Sequence, residues 1–229
     1  MKRLIVLLLA SICFGVLYGK NSSAAPVVFD FDDHKKFSDS WRVRRTAVHV
    51  PESRFSVVRA DGARDGKALA IECSNSSGIA LISPPGLDLK KTPVMRWRWR
   101  IIHPVRLHKG KEPDDQAGSI YICDGNSFRQ FTVSYRWEIL PQIGEVKLRR
   151  YSCGAVTVYG ICMRNRTTPV GEWVEEERDV LADFNNFFKR DIKKRYAIGI
   201  AGNSQYSKSD TRVEIDYIEF HPRTTKRER

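Results

Sequence analysis

The stretch Val94-Met95-Arg96-Trp97-Arg98-Trp99-Arg100-Ile101 alternates apolar and basic side chains without a break. On an extended strand successive side chains point to opposite faces. Met95, Trp97, Trp99 and Ile101 therefore share one face, and Arg96, Arg98 and Arg100 share the other. A face holding two tryptophans, a methionine and an isoleucine is a core face and needs a second apolar layer to cover it. The segment is read as one strand of a sheet with a buried side and a wet side.

Working outward, the same short alternation recurs. Segments 27–32, 41–50, 67–73, 79–83, 119–123, 130–139, 146–151, 196–201 and 212–220 read as strands. Asp65-Gly66 and Pro84-Pro85 supply turns between them. One stretch is helical in spacing: Val180, Leu181, Phe184, Phe187 and Phe188, with Glu175 to Glu177 as its acidic first turn. Many short strands with one short helix predict an all-β fold, an antiparallel β-sandwich of the jelly-roll kind. No internal repeat divides the chain.

Ahead of the strands, Met1-Lys2-Arg3 is followed by the apolar run Leu4 to Leu17, and Lys20 to Ser23 turns polar. Charge, short apolar run and small residues in that order make a signal peptide, and the run is short for a bilayer span. Small side chains at Ser22 and Ala24 put cleavage after residue 24. The expected organisation is a signal peptide at 1–24, a sandwich domain at 25–222 and a basic tail at 223–229, with no membrane anchor left after cleavage. Cys13 is preceded by Ile12, where lipid attachment needs a small residue, so it is read as discarded with the signal. The expected location is periplasmic or secreted.

The formal charge is +12, and subtracting Lys2, Arg3 and Lys20 leaves about +9 for the mature chain. For an exported protein this favours an anionic polysaccharide, a headgroup or an acidic partner over nucleic acid; simple solubility is the other reading. Cys73, Cys123, Cys153 and Cys162 remain after processing, and an even count in an oxidising compartment permits two disulfides in three connectivities. Cys153 with Cys162, closing the short segment Gly154 to Ile161 as a hairpin or loop, is the preferred pair; Cys73 with Cys123 follows by elimination. No Cys-x-x-Cys, nucleophile elbow, phosphate loop or dinucleotide fingerprint is present, and His34, His49, His103, His108 and His221 show no ligand spacing.

Thr92 to Trp99, Asp114-Asp115 before a strand, Tyr135-Arg136-Trp137, Trp173 with Glu177-Arg178-Asp179, and Val213 to Ile218 together resemble the domain of unknown function 3047 family of exported bacterial proteins. The likeness runs over most of the mature chain. Where that family usually has an arginine after the paired aspartates, this chain reads Gln116-Ala117-Gly118-Ser119. The opening Phe29-Asp30-Phe31-Asp32 with Trp41, and the closing Glu214-Ile215-Asp216-Tyr217-Ile218, also look like carbohydrate-binding jelly-roll modules. That likeness implies that the first and last strands meet and share a structural calcium.

Three constellations carry candidate chemistry. Asp30 and Asp32 face the same side of a strand, and Asp216 would join them as oxygen ligands for calcium; otherwise these acids cap strands or pair with arginines. Arg96, Arg98 and Arg100, extended by Arg136, form a guanidinium stripe suited to carboxylate, sulfate or phosphate. The alternative is a salt-bridge ladder with acids such as Glu138 or Glu214. Asp114 and Asp115 are candidate catalytic carboxylates for a hydrolase, with Glu138 or His103 as partner, or else order a loop. Trp41, Tyr151, Tyr159 and Tyr206 lie near expected loops and are candidates to stack on sugar rings. The expected function is a non-catalytic exported module that binds glycan or another anionic envelope component. The alternatives are an envelope polysaccharide hydrolase using Asp114 or Asp115 and a structural partner of an envelope assembly.

Overall fold

The computed structural model describes residues 24–107, 114–126, 128–193 and 196–224. Most of the expected signal peptide, the end of the basic tail, and His108 with its neighbours to 113 lie outside them. Thirteen strands are described: β1 (Val27–Asp30), β2 (Arg42–Arg45), β3 (Arg54–Arg59), β4 (Lys67–Ser74), β5 (Ser77–Ile82), β6 (Val94–His103), β7 (Gln116–Gly125), β8 (Gln130–Trp137), β9 (Val146–Tyr151), β10 (Val156–Arg164), β11 (Val174–Asp179), β12 (Tyr196–Asn203) and β13 (Asp210–His221). Two short helices join them, α1 (His34–Ser40) and α2 (Val180–Phe188).

The strands form an all-β sandwich of two sheets. One has the order β11-β6-β13-β4-β3, with β1 also on β13; the other has the order β2-β5-β12-β7-β8-β10-β9. The apolar face of β6 lies between them as the alternation requires: Met95, Trp97 and Trp99 are fully buried. Trp97 packs on Tyr135 and Trp99 on Trp137, each with ring centroids 5.3 Å apart. These contacts join an interior strand of one sheet to an interior strand of the other. The sheets close on each other where Gly118 faces Val213: a Cβ there would come within 2.8 Å of the valine.

Several expectations are corrected. The pairing is antiparallel except for β8 with β10, which run parallel because β10 inserts between β8 and the edge strand β9. Glu175 to Glu177 do not open a helix. They form β11, with Glu175 beside Arg98 and Glu177 beside Arg96 in register; α2 starts afterwards, its N-terminus capped by Asp179 accepting from the Ala182 amide at 2.8 Å. Helix α1 has one buried residue, Phe37, so it has no apolar period by which to be recognised. Trp41 is core, packed with Phe29, Phe31 and Phe37.

The disulfides are not formed; all four cysteines are thiols. Most of the segment between Cys153 and Cys162 is the extended strand β10, with Cys153 in the tight turn before it; Val156 to Cys162 alone spans about 20 Å, far beyond disulfide reach. Cys73 lies against Gly202, and Cys123 pairs with Ala197 five residues along β12, so that pair is also separated by the length of a strand.

The outer face of the six-stranded sheet carries the arginine stripe, and each arginine meets a carboxylate. Arg96 Nε donates to Glu177 at 2.6 Å, Arg98 Nη1 to Asp216 at 3.0 Å and Arg100 Nε to Glu214 at 2.8 Å. Arg212 also grips Glu214, and Arg54 and Arg212 share Glu72. Trp173 lies over Arg98 and Arg100, at 5.1 and 4.4 Å from ring to guanidinium, while the carbonyls of Asp61 and Gly62 accept from the same two arginines. The stripe is the ladder, roofed by the β3–β4 turn.

Two outcomes follow. Replacing Glu214, whose side chain is 3 % exposed, with alanine strands Arg100 and should cost about 3 kcal/mol of unfolding free energy. Arg96→Ala at the exposed rung should cost under about 1 kcal/mol; equal effects in denaturant titration would contradict the ladder. In a thiol titration of the mature chain, Cys153 alone should react in the native state, because the others are buried and burial pushes the Cys123 thiol up to about 11. All four should react on unfolding, and two or fewer reacting then would restore a disulfide.

Candidate functional site

The second sheet turns a different kind of face outward. On β8 the core takes Phe131, Val133, Tyr135 and Trp137, leaving Gln130, Thr132, Ser134 and Arg136 on the other side. Their neighbours in register on β7 are Cys123, Tyr121 and Ser119, and on β10 Val156, Val158 and Gly160. A groove of about 530 Å³ crosses this face from Arg44 and Arg45 on β2 to Tyr151 at the end of β9. Its lining includes Thr46, Ser77, Gln116, Ser119, Gln130, Thr132, Asn203 and Gln205, with Tyr121, Tyr151 and Tyr206 among them. Past Arg44, Cys123 and Gln130 a second hollow of about 430 Å³ continues it toward Asp124 and Tyr196.

Arg136 lies flat on the floor, its side chain 2 % exposed. Nε donates to Ser134 Oγ at 2.9 Å, and Nη1 stands 3.7 Å from both Asp114 and Glu138. It can lie there because residue 160 is glycine: a Cβ on Gly160 would come within 2.7 Å of Arg136 Nε. Nη1 is buried and makes no hydrogen bond among the described residues.

Asp114 is the carboxylate that reaches the groove. Tyr151 donates its hydroxyl to Oδ2 at 2.9 Å, and Arg149 Nε lies 3.8 Å from Oδ1. Burial pushes the Tyr151 phenol up to about 12, with Arg136 opposing and Asp114 reinforcing the rise, so it stays a neutral donor at ordinary pH. Asp115 is 2 % exposed and turns away. It accepts the amides of Tyr206 at 3.1 Å and Ser207 at 2.6 Å, while Asn203 Nδ2 donates to the Asp114 carbonyl at 3.1 Å. These bonds tie the β12–β13 loop, with Tyr206, to the rim of the groove. Burial raises the Asp115 pKa although both amides lower it. The adjacent pair thus divides into a groove residue and a structural one, and does not form a two-carboxylate centre.

The remaining candidates fall elsewhere. Arg96, Arg98 and Arg100 lie on the opposite sheet from Arg136, so the expected four-arginine patch does not assemble. Tyr159 stacks on Phe187 at 4.8 Å beneath α2, outside the groove. The first and last strands do meet, Asp30 opposite Tyr217. The calcium ligands do not converge. Asp216 accepts the Arg64 amide at 3.0 Å as well as Arg98, Asp30 faces Arg64 and Asp32 faces Lys36. The described residues contain no group of three or more His, Cys, Asp or Glu able to hold a metal, and carboxylates already turned to cations do not fit a calcium ion. The groove's Gln116, Tyr121, Gln130, Thr132, Asn203 and Gln205 were not singled out from sequence. The alternation of polar residues through 130–136 was the available signal.

No helix among the described residues is long and apolar enough to cross a membrane. No curated protein is significantly similar to the chain in sequence. Among solved structures, the family 11 carbohydrate-binding module from Clostridium thermocellum in complex with a β-1,3-1,4-mixed-linked tetrasaccharide is similar at TM-score 0.46 and 10 % identity, over 80 % of this chain and 89 % of that one. The Caldicellulosiruptor saccharolyticus module CBM27-1 in complex with mannohexaose is similar at 0.44 and 14 % identity, over 89 % and 100 %. The basic winged bean lectin with Tn-antigen is similar at 0.44 and 13 % identity, over 86 % and 98 %. The family model described as "Protein of unknown function (DUF3047)" matches residues 39–219, and the chain belongs to that family.

Proposed function

We propose that the protein is an exported, non-catalytic module that binds a glycan in the groove on the seven-stranded sheet. The observation behind this reading is the groove's lining, in which amide and hydroxyl side chains alternate with three tyrosines over an open channel. A sugar presents hydroxyl groups that donate and accept at once, and C–H faces that pack on aromatic rings. Neutral hydrogen-bonding side chains beside tyrosines match both needs. A phosphodiester strand would instead want unopposed cations, and the cations at the deep end face carboxylates.

The hydrolase alternative has less behind it. Asp115 is committed to two backbone amides, and Glu138 is buried at the guanidinium of Arg136, with its side chain 8 % exposed. Among the described residues, Asp114 is left without a second open carboxylate across the groove. The anion-binding role expected of Arg96, Arg98 and Arg100 has less behind it for a similar reason, since a ligand would have to displace their own acids. Export rests on the order of residues 1–24, with a periplasmic or secreted location as its consequence.

In affinity electrophoresis against soluble glycans, at least one polysaccharide should retard the mature protein. Tyr151→Ala or Tyr206→Ala should weaken that binding about tenfold, equivalent to about 1.4 kcal/mol, while Arg98→Ala on the opposite sheet should leave the dissociation constant unchanged. The groove reading fails if Arg98→Ala abolishes binding and the tyrosine variants do not. Expressed with its own N-terminus in a bacterial host, the protein should appear outside the cytoplasm with Ala25 as its first residue by mass spectrometry; an unprocessed cytoplasmic product would contradict export.

A further inference from the structure

The chain is strongly basic, and composition alone points to acidic glycans. The deep end of the groove, away from Arg44 and Arg45, points the other way. We propose that this end reads the hydroxyl groups of a neutral sugar through Asp114, and discriminates against acidic glycans. This rests on the glycan-binding reading of the groove and narrows it.

The first ground is unspent hydrogen-bonding capacity at Asp114, above a buried guanidinium. Asp114, its side chain 33 % exposed, stands 3.7 Å from Arg136 Nη1 and 3.8 Å from Arg149 Nε. Those separations are too long for hydrogen bonds and short enough for strong attraction. Gln116 Nε2 reaches the same Oδ1 only at 3.5 Å, and Arg136 Nη1 is buried without a hydrogen-bond partner among the described residues. A sugar hydroxyl at Asp114 donates to the carboxylate while accepting from the partly exposed guanidinium of Arg149. A ligand carboxylate can only accept, and it would bring a second negative group up to Asp114.

The second ground is the local charge. Arg136 and Arg149 together carry two positive charges, and Asp114 and Glu138 carry two negative ones, all within one connected cluster. The sum is zero. Tyr151 adds a neutral donor to Asp114 Oδ2 and lines the same end of the groove, where its ring can carry a C–H face of the same sugar. Asp114 and Tyr151 are the groups placed to touch the ligand. Arg136, nearly wholly buried, is a positioning residue that holds Asp114 in place from the floor.

The inference and its rival predict opposite signs for Asp114→Asn, which keeps shape and removes the charge. The mature protein would be titrated with a soluble neutral glucan, a galactomannan and polygalacturonate. The expected result is that a neutral polymer binds and polygalacturonate does not, and that Asp114→Asn weakens neutral binding tenfold or more without creating polyuronate binding. If polygalacturonate binds the wild type and Asp114→Asn strengthens it, the neutral assignment is overturned while the glycan-binding groove survives. If none of the three polymers binds, the groove reading falls and this one falls with it. Salt gives a test that needs no variant: wild-type binding to the neutral polymer should be flat over roughly 0.05–0.5 M sodium chloride, and a steep loss of affinity would overturn the proposal.

Discussion

The packing of Trp97 and Trp99 on Tyr135 and Trp137 is the contact on which the rest of the molecule depends. It joins interior strands of the two sheets, and each buried ring removes a large apolar area from water. It also fixes what the other residues of those strands can do. A strand that commits every second side chain to the core must turn the rest outward. Arg96, Arg98 and Arg100 therefore emerge on one outer surface, and Thr132, Ser134 and Arg136 on the other. Two groups of arginines that look alike in sequence are held back to back across a tryptophan core, and no ligand can bridge them.

The two outer surfaces treat their charges differently. On the six-stranded sheet, acids from β4, β11 and β13 stand in register with the arginines, and Trp173 and the β3–β4 turn cover them. Charge there contributes to holding strands side by side. On the seven-stranded sheet the residues around Arg136 are small: Ser134, Gly160 and Ser119 leave it lying along the floor beneath an open channel. The same kind of side chain serves as cross-strand glue on one face and as foundation for a groove on the other. The difference lies in the volume of its neighbours.

Much of the fold was legible because alternation is a strong signal where one face is fully apolar. Segments 67–73, 94–101 and 146–151 appear as strands close to their expected bounds, and the helical spacing of Val180 to Phe188 appears as α2. Legibility failed where burial does not set the pattern. In β11 the three glutamates read as a helix start, yet they are ordered by arginines distant in sequence. In β10 the two flanking cysteines suggested a hairpin or loop, while the strand is stabilised by pairing on both sides. The candidate site was legible only in part, since Arg136, Asp114, Tyr151 and Tyr206 could be named singly. Which sheet each one joined depends on strand order, and strand order is decided by contacts that no local pattern encodes.

The paired aspartates illustrate how one step along the chain separates a buried anchor from a carboxylate open to the groove. At the entrance to β7 the alternation puts Asp115 inside and Asp114 outside. Asp115 is buried against the amides of Tyr206 and Ser207 and holds the loop that forms the far rim. Asp114 keeps partial exposure and is surrounded by donors it does not fully use. The rigidity conferred by the first fixes the position of the second, as the proposed reading of the groove requires, because a carboxylate selects among hydroxyl groups only if its position is set before the ligand arrives. Reading such a pair as two equivalent acids leads to catalysis. Reading each by its surroundings leads to one anchor and one carboxylate open to the groove, which is what the proposed binding role uses.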